Sequence, residues 1–353
     1  MIHHFMVKGI TLRTILAWSV LGCFLGVLTL APAAKALAQA VAGPQVLMEK
    51  PQEGAKPEEK PETAPTTCGP ICCDTCVPIE TGHFALSTVA ALSFYPGVFS
   101  NNWRTANAHG NFNTFYMPWK LTYGPTKDLE MYIIAPFVNN WANNLDFPGP
   151  NGETSASYGG IGDLTLMGKY NLLPEGDIMP AVTGVAGFAS IPTGHASHLN
   201  SAKLGMDAIG TGALTFTSGV NLYKWLKPFL IYSNIWMNNP VNLYKLGPDP
   251  TRNVRSRDYV TFNLAAEYPI PNSKFVILCE MYSNWTWSNL TQPGTNANLI
   301  QGYQTPQTVL GILPGIEFLA TEKMSVSAGA SLDLAGKNGV KKYTPMLYVS
   351  YAF

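Results

Sequence analysis

From Glu80 to Phe353 the sequence breaks into twelve segments in which apolar side chains recur at every second position, and no other feature constrains the fold as much. The segments lie near 82–95, 112–123, 127–139, 160–173, 178–191, 208–222, 226–238, 257–269, 273–287, 305–319, 322–334 and 343–353. Alternation at period two is the signature of a strand with two unlike faces, and about ten residues is the length a tilted strand needs to cross a bilayer. An even count suits a closed antiparallel barrel with both termini on one side. The expected fold class is therefore all-β: a transmembrane up-and-down antiparallel barrel of about twelve strands.

The connections sharpen that expectation. Short ones are read at Tyr123-Gly-Pro-Thr-Lys127, Leu173-Pro-Glu-Gly-Asp177, Tyr223-Lys-Trp-Leu226, Pro269-Ile-Pro-Asn-Ser273 and Ala320-Thr-Glu-Lys323. Long ones, rich in Asn, Gly, Pro and Trp, follow the first, third, fifth, seventh and ninth strands. Outer-membrane barrels pair tight periplasmic turns with longer extracellular loops, whereas a soluble sandwich has no reason to sort loops by end. The last segment ends Leu347-Tyr-Val-Ser-Tyr-Ala-Phe353, an aromatic terminus on the apolar face that resembles the assembly signal read by the barrel assembly machinery.

Within the strands, ionisable residues fall opposite the apolar face. Leu129, Met131, Ile133 and Phe137 oppose Glu130; Phe275, Ile277 and Met281 oppose Glu280; Leu310, Ile312 and Ile316 oppose Glu317; Val326 and Leu332 oppose Asp333. A charge facing lipid costs several kcal/mol near the midplane, so Lys120, Glu130, Asp163, Lys169, Glu267, Glu280, Glu317 and Asp333 are the lumen-facing candidates. Tyr116, Tyr132, Trp236, Tyr282 and Trp285 fit either an apolar ligand path or an interfacial girdle, and the girdle is the expectation.

Upstream, one apolar run from Thr14 to Ala31 follows Lys8 and Arg13 and leads to small residues at Ala38 and Ala40, the anatomy of a cleaved signal peptide over 1–40. A lipoprotein signal at Cys23 is the alternative. Residues 41–67 are rich in Pro, Glu and Lys and read as a disordered periplasmic linker. The segment 68–79 carries Cys68, Cys72, Cys73 and Cys76, which in an oxidising compartment suggest disulfides, with thiolate metal binding as the competing reading. Cys279 reads as a small packing residue. His109, His195 and His198 fall in long loops and fix no metal geometry. No catalytic residue, cofactor site or metal site is assigned.

The 22 basic and 22 acidic residues cancel, which removes nucleic acid as an expected partner, and charged residues make up 12% of the chain against about 25% in soluble domains.

Gly160-Ile-Gly-Asp-Leu-Thr-Leu-Met-Gly-Lys-Tyr170 and Ala186-Gly-Phe-Ala-Ser-Ile-Pro-Thr-Gly194 carry a resemblance to a known group of barrels. Over roughly residues 80 to 353 the chain resembles the outer-membrane transporter family of the phenol meta-degradation pathway, which also includes a sphingosine-induced outer-membrane protein and the functional-amyloid secretion channel. The resemblance implies a twelve-stranded barrel in the bacterial outer membrane, surrounded by lipid, that passes small hydrophobic or aromatic cargo. A structural or adhesive barrel, a secretion channel and a barrel enzyme are the alternatives. The secretion reading lacks the heptad-patterned N-terminal region expected of it, because 42–67 has Pro every few residues.

Overall fold

The structure is a computed structural model, and it describes residue 67 and residues 69–146, 148–242, 258–286 and 307–353. The signal peptide, most of the linker, Cys23 and Cys68 lie outside the described residues. The chain divides into two units. In the first, Met1–Ala64 with Ile270–Ser273, only the turn is described, with the Ser273 amide donating to the Ile270 carbonyl at 3.2 Å. The second, Pro65–Pro269 with Lys274–Phe353, is the β-structure considered below.

Its strands are β1 (Phe84–Phe99), β2 (Thr105–Asn107), β3 (Asn111–Thr126), β4 (Leu129–Asn143), β5 (Ala156–Ile161), β6 (Leu164–Leu173), β7 (Ala181–Ile191), β8 (Ala213–Leu226), β9 (Phe229–Asn242), β10 (Tyr259–Pro269), β11 (Phe275–Thr286), β12 (Thr308–Thr321), β13 (Met324–Lys337) and β14 (Gly339–Ala352). Each neighbouring pair is antiparallel, and β14 returns to pair with β1 in the register Thr88↔Val349, so the sheet closes on itself. The strands β5 and β6 both pair with β4 and form one interrupted stave, and β2 is a short flap on β1, which leaves a barrel of twelve staves. Pairing of β14 with β1 closes the ring of staves, the condition a spanning sheet must meet in lipid.

The seam carries the last residue. Phe353 exchanges both backbone hydrogen bonds with Phe84, at 2.8 and 3.0 Å, and its ring stacks on Phe84 at 5.9 Å, with Tyr123 beyond at 4.5 Å. This places an aromatic cluster at the short-turn rim.

Side chains sort as the pleat demands. Ile316 and Leu347 are 45% and 48% exposed on the outer wall, where an apolar surface suits lipid, while Lys169, Glu267, Glu280 and Glu317 are 0–1% exposed within.

Three boundaries differ from those read in the sequence. The stretch Tyr223–Leu226 belongs to β8, and the turn there is Lys227-Pro228. The fourth stave breaks at Gly162-Asp163, because the Asp163 carboxylate is drawn into the loop that follows β7. The eleventh and twelfth staves are joined by Asn338 alone, which takes a left-handed φ of 54°, instead of by an eight-residue loop. Asn tolerates that conformation, and the Asn338-Gly339 pair is a tight-hairpin signal.

Candidate functional site

Residue 67 and residues 69–80 form no regular structure of their own; they run inside the barrel and are held by the wall. Gly69, at a φ of +83°, turns the segment where a Cβ would meet the Thr75 methyl at 2.2 Å, so only glycine fits. The chain then meets carboxylates and amides from strand after strand. Glu280 of β11 accepts the backbone N–H groups of Ile71, Cys72 and Cys73 at 2.6, 2.9 and 2.7 Å. Asn234 of β9 clasps Asp74 by both backbone groups, accepting from its N–H at 2.7 Å and donating to its carbonyl at 2.9 Å.

The Asp74 side chain anchors the ionic part. Lys169 of β6 lies 3.3 Å from it and 2.8 Å from Glu130 of β4, while Lys120 of β3 lies 3.7 Å away and Asn221 of β8 donates to it at 3.0 Å. Lys169 also donates to the Thr75 carbonyl at 3.2 Å. Further along, Thr183 of β7 donates to the Cys76 carbonyl at 2.7 Å, and Glu130 accepts from the Ile79 amide at 3.0 Å. At the other end of the segment Thr67 donates to Glu267 of β10 at 2.7 Å. Buried charges are stable only when paired and hydrogen-bonded, and here the wall supplies the partners to the inserted segment. Burial would raise the Asp74 carboxyl, but Lys169, Lys120 and Asn221 outweigh it and hold the group below its ordinary range.

Cys72, Cys73 and Cys76 are free thiols in the structure; any bond to Cys68 lies outside the described residues. Burial pushes the Cys76 thiol up to about 12, and burial with Glu280 alongside raises Cys73 well above its usual value. Cys73 and Cys76 are buried, so both are protonated and inert while the segment is seated. Cys279 sits on the opposite face of β11 from Glu280 and is partly buried.

The inserted segment is the floor of a cavity of about 740 Å³. Above Ile71 to Thr75 the walls carry Tyr116, Tyr132, Trp236 and Tyr282 among small hydroxyl side chains such as Ser93 and Thr344. This corrects the girdle expectation for those four aromatics; of the five, Trp285 is the one that does not line the cavity. The reason is visible in the cross-strand partners. Tyr282 lies over Gly311 and Trp236 over Gly219, where a Cβ would fall 2.2 and 2.7 Å from the rings, so glycine on the next strand makes room for a ring to lie flat inside. Both rings are then fixed by hydrogen bonds, Tyr282 to Asp333 at 2.7 Å and Trp236 to Asn221 at 2.8 Å.

The ionisable residues singled out in the sequence therefore take three places. Lys120, Glu130, Lys169, Glu267 and Glu280 meet the inserted segment; Glu317 is buried in β12 and Asp333 orients Tyr282; Asp163 does neither. Its two oxygens accept from Ser190, Gly194 and both donors of Thr211, tying β7, the long loop after it and the start of β8 together at the long-loop end. His109 and His195 bond Asp146 and the Asp207 carbonyl, each at 3.0 Å. Asn221, Asn234 and Thr183 were not legible as site residues, because Asn and Thr are ordinary on a polar strand face.

Among solved structures, the chain is similar to the COG4313 outer membrane channel from Pseudomonas putida F1, with a TM-score of 0.62, 13% identity, and coverage of 80% of this chain and 100% of that one. The CymD monoaromatic hydrocarbon channel shows a looser likeness, with a TM-score of 0.40 at 11% identity over 78% of this chain and 88% of that one. No curated protein matches the chain in sequence. The family model described as the putative MetA-pathway of phenol degradation matches residues 105–346, most of the barrel, and the chain belongs to that family.

Proposed function

We propose that the protein is an outer-membrane channel for small hydrophobic or aromatic molecules, with the cavity above residues 67–80 as the chamber in which cargo pauses. The observation that carries this reading is the pairing of an aromatic-walled chamber of about 740 Å³ with a floor held by hydrogen bonds instead of covalent links. A chamber of that size falls in the range of small-molecule sites, roughly 300–1,000 Å³. An apolar ring fits against Tyr116, Tyr132, Trp236 and Tyr282, while the hydroxyl groups between them keep water satisfied when cargo is absent.

In this reading residues 1–40 are a cleaved export signal, 41–67 a periplasmic linker, 68–79 the plug and 80–353 the barrel. The short turns face the periplasm, and the barrel assembly machinery inserts the chain. Lys120, Glu130, Lys169, Glu267 and Glu280 are the seat of the plug, and passage requires that the seat be vacated at least in part. A secreted polypeptide would need a lumen clear of this segment, which disfavours the secretion alternative.

The test is accumulation of a labelled hydrophobic arene, naphthalene, by cells whose lipopolysaccharide-bearing outer membrane retards it. Cells carrying the protein are expected to accumulate it several-fold faster than cells carrying an empty vector; equal rates would overturn the transport reading.

A further inference from the structure

Most carboxylates inside the barrel meet a cation or a set of backbone amides, and Glu267 meets neither among the described residues. Lys169 and Lys120 balance Glu130 and Asp74, and Glu280 is met by three plug amides. Asp333 accepts from Tyr282 at 2.7 Å and stands beside Lys342, which lines the chamber from β14. Nearer the short turns, Glu267 of β10 and Glu317 of β12 are both 0% exposed and lie within electrostatic reach of each other. One oxygen of Glu267 accepts from Thr67 at 2.7 Å and from Tyr232 at 3.1 Å. Its other oxygen, Oε1, has no hydrogen-bond partner among the described residues. On β13, Ser327 is the cross-strand partner of Glu317, and Ser325 follows on the same face, two residues nearer the rim. Both serines are 0% exposed, and no described residue takes up either hydroxyl.

We infer that Glu267, Glu317, Ser325 and Ser327 form a binding site for a calcium ion at the short-turn end of the lumen. Two neighbouring carboxylates in a sealed interior call for a counter-charge, and water does not supply one. A proton on Glu267 Oε1 would need an acceptor, and that oxygen has none within reach. The serine hydroxyls share this condition, buried beside the carboxylates and bonded to neither. Oxygens that surround calcium at roughly 2.3–2.6 Å stand about 3.4–5 Å from one another, at or beyond the limit of a hydrogen bond. Buried oxygens left unbonded to each other therefore suit coordination better than a hydrogen-bond network. The two charges of the ion cancel the two carboxylates. Calcium fits better than magnesium, because these side chains exclude solvent and magnesium gives up its water reluctantly. The site joins β10, β12 and β13 and shares Glu267 with Thr67, so the ion also steadies the start of the plug.

The experiment is equilibrium dialysis of the detergent-solubilised full chain against radiolabelled calcium, after stripping with EGTA and with empty micelles as the blank. A single ion per barrel is expected, and magnesium should need about tenfold more than unlabelled calcium to displace it. Glu267→Gln and Glu317→Gln are each expected to weaken binding about tenfold or more, because ligand charge sets calcium affinity, with heat-modifiable migration confirming the barrel. Ser327→Ala keeps both carboxylates and disturbs folding least, and it is expected to weaken binding about threefold or more. Calcium should also raise the temperature at which the stripped protein loses heat-modifiable migration, and should do so less in Glu317→Gln. No retention above the blank at about 1 mM calcium would overturn the inference and leave a shared proton to neutralise the pair. Retention at full strength in all three variants would overturn it equally. Calcium retention does not depend on transport, so this inference and the channel reading fail independently.

Discussion

Replacing Glu280 with Gln should loosen the plug, and the structure sets the scale. The carboxylate takes three plug amides, Ile71 on one oxygen at 2.6 Å and Cys72 and Cys73 on the other at 2.9 and 2.7 Å. Glutamine preserves the shape but offers one oxygen, so at most the Cys72 and Cys73 bonds survive, without charge assistance, and the Ile71 amide faces an NH₂ group. Hydrogen bonds to charged groups contribute about 1.5–3 kcal/mol each and neutral ones about 0.5–1.5 kcal/mol, so the exchange costs roughly 3 kcal/mol once non-additivity is allowed for. At 1.4 kcal/mol per decade, that raises the ratio of unseated to seated plug about a hundredfold. Cys76 reports the change, since it is 1% exposed and its thiol is held protonated while the plug is seated. In a background with Cys23, Cys68, Cys72, Cys73 and Cys279 replaced by Ser, maleimide labelling of Cys76 should run about a hundredfold faster in Glu280→Gln than with Glu280 intact. Single-channel conductance in planar bilayers should rise in parallel, and heat-modifiable migration should confirm an intact barrel. A change in labelling below about threefold, with the barrel intact, would refute the view that Glu280 holds the floor.

Other perturbations follow from the same contacts. Lys169→Met strands Glu130 and Asp74 without their shared cation, at a cost of about 3–5 kcal/mol, and should lower the temperature at which the barrel loses heat-modifiable migration. Asp74 has a depressed carboxyl, so its contribution to seating is present above the ordinary Asp value of about 3.9 and is lost as pH falls through the lower seated value; conductance should rise in strong acid, and Asp74→Asn should remove that step from an already raised baseline. On the outer wall, Ile316→Arg should cost about 2–4 kcal/mol and impair insertion, measured as folded barrel per cell, whereas Thr344→Arg inside the chamber should insert normally.

The fold was legible because strand alternation and hairpin turns are local signals. Each of the twelve staves can be found from its own ten to fifteen residues, and the acidic members of the plug seat, Glu130, Glu267 and Glu280, stand out against the apolar face of their own strands. The plug was not legible. Its contacts join residues far apart in the chain, 209 positions between Ile71 and Glu280 and 160 between Asp74 and Asn234, and no local pattern records them. The cysteines drew attention to the right segment; the contacts described there run through its backbone amides and Asp74, and any bond to Cys68 lies outside the described residues. Lys342 was missed for a turn-chemistry reason: Lys341-Lys342 resembles loop, so the last strand was started at Tyr343, although Asn338-Gly339 announces a hairpin that places both lysines in β14. The chamber aromatics were missed because the deciding partners, Gly219 and Gly311, belong to the neighbouring strand.

The account depends on lipid outside the ring and water inside it, and spin-label accessibility along β14 of the membrane-embedded protein tests this most directly. Labels placed singly at 347, 349 and 351 are expected to meet oxygen dissolved in the bilayer, and labels at 344, 346 and 348, of which the native side chains line the chamber, to meet a water-soluble nickel chelate. Accessibility that does not alternate between these two sets would contradict the closed, water-filled barrel.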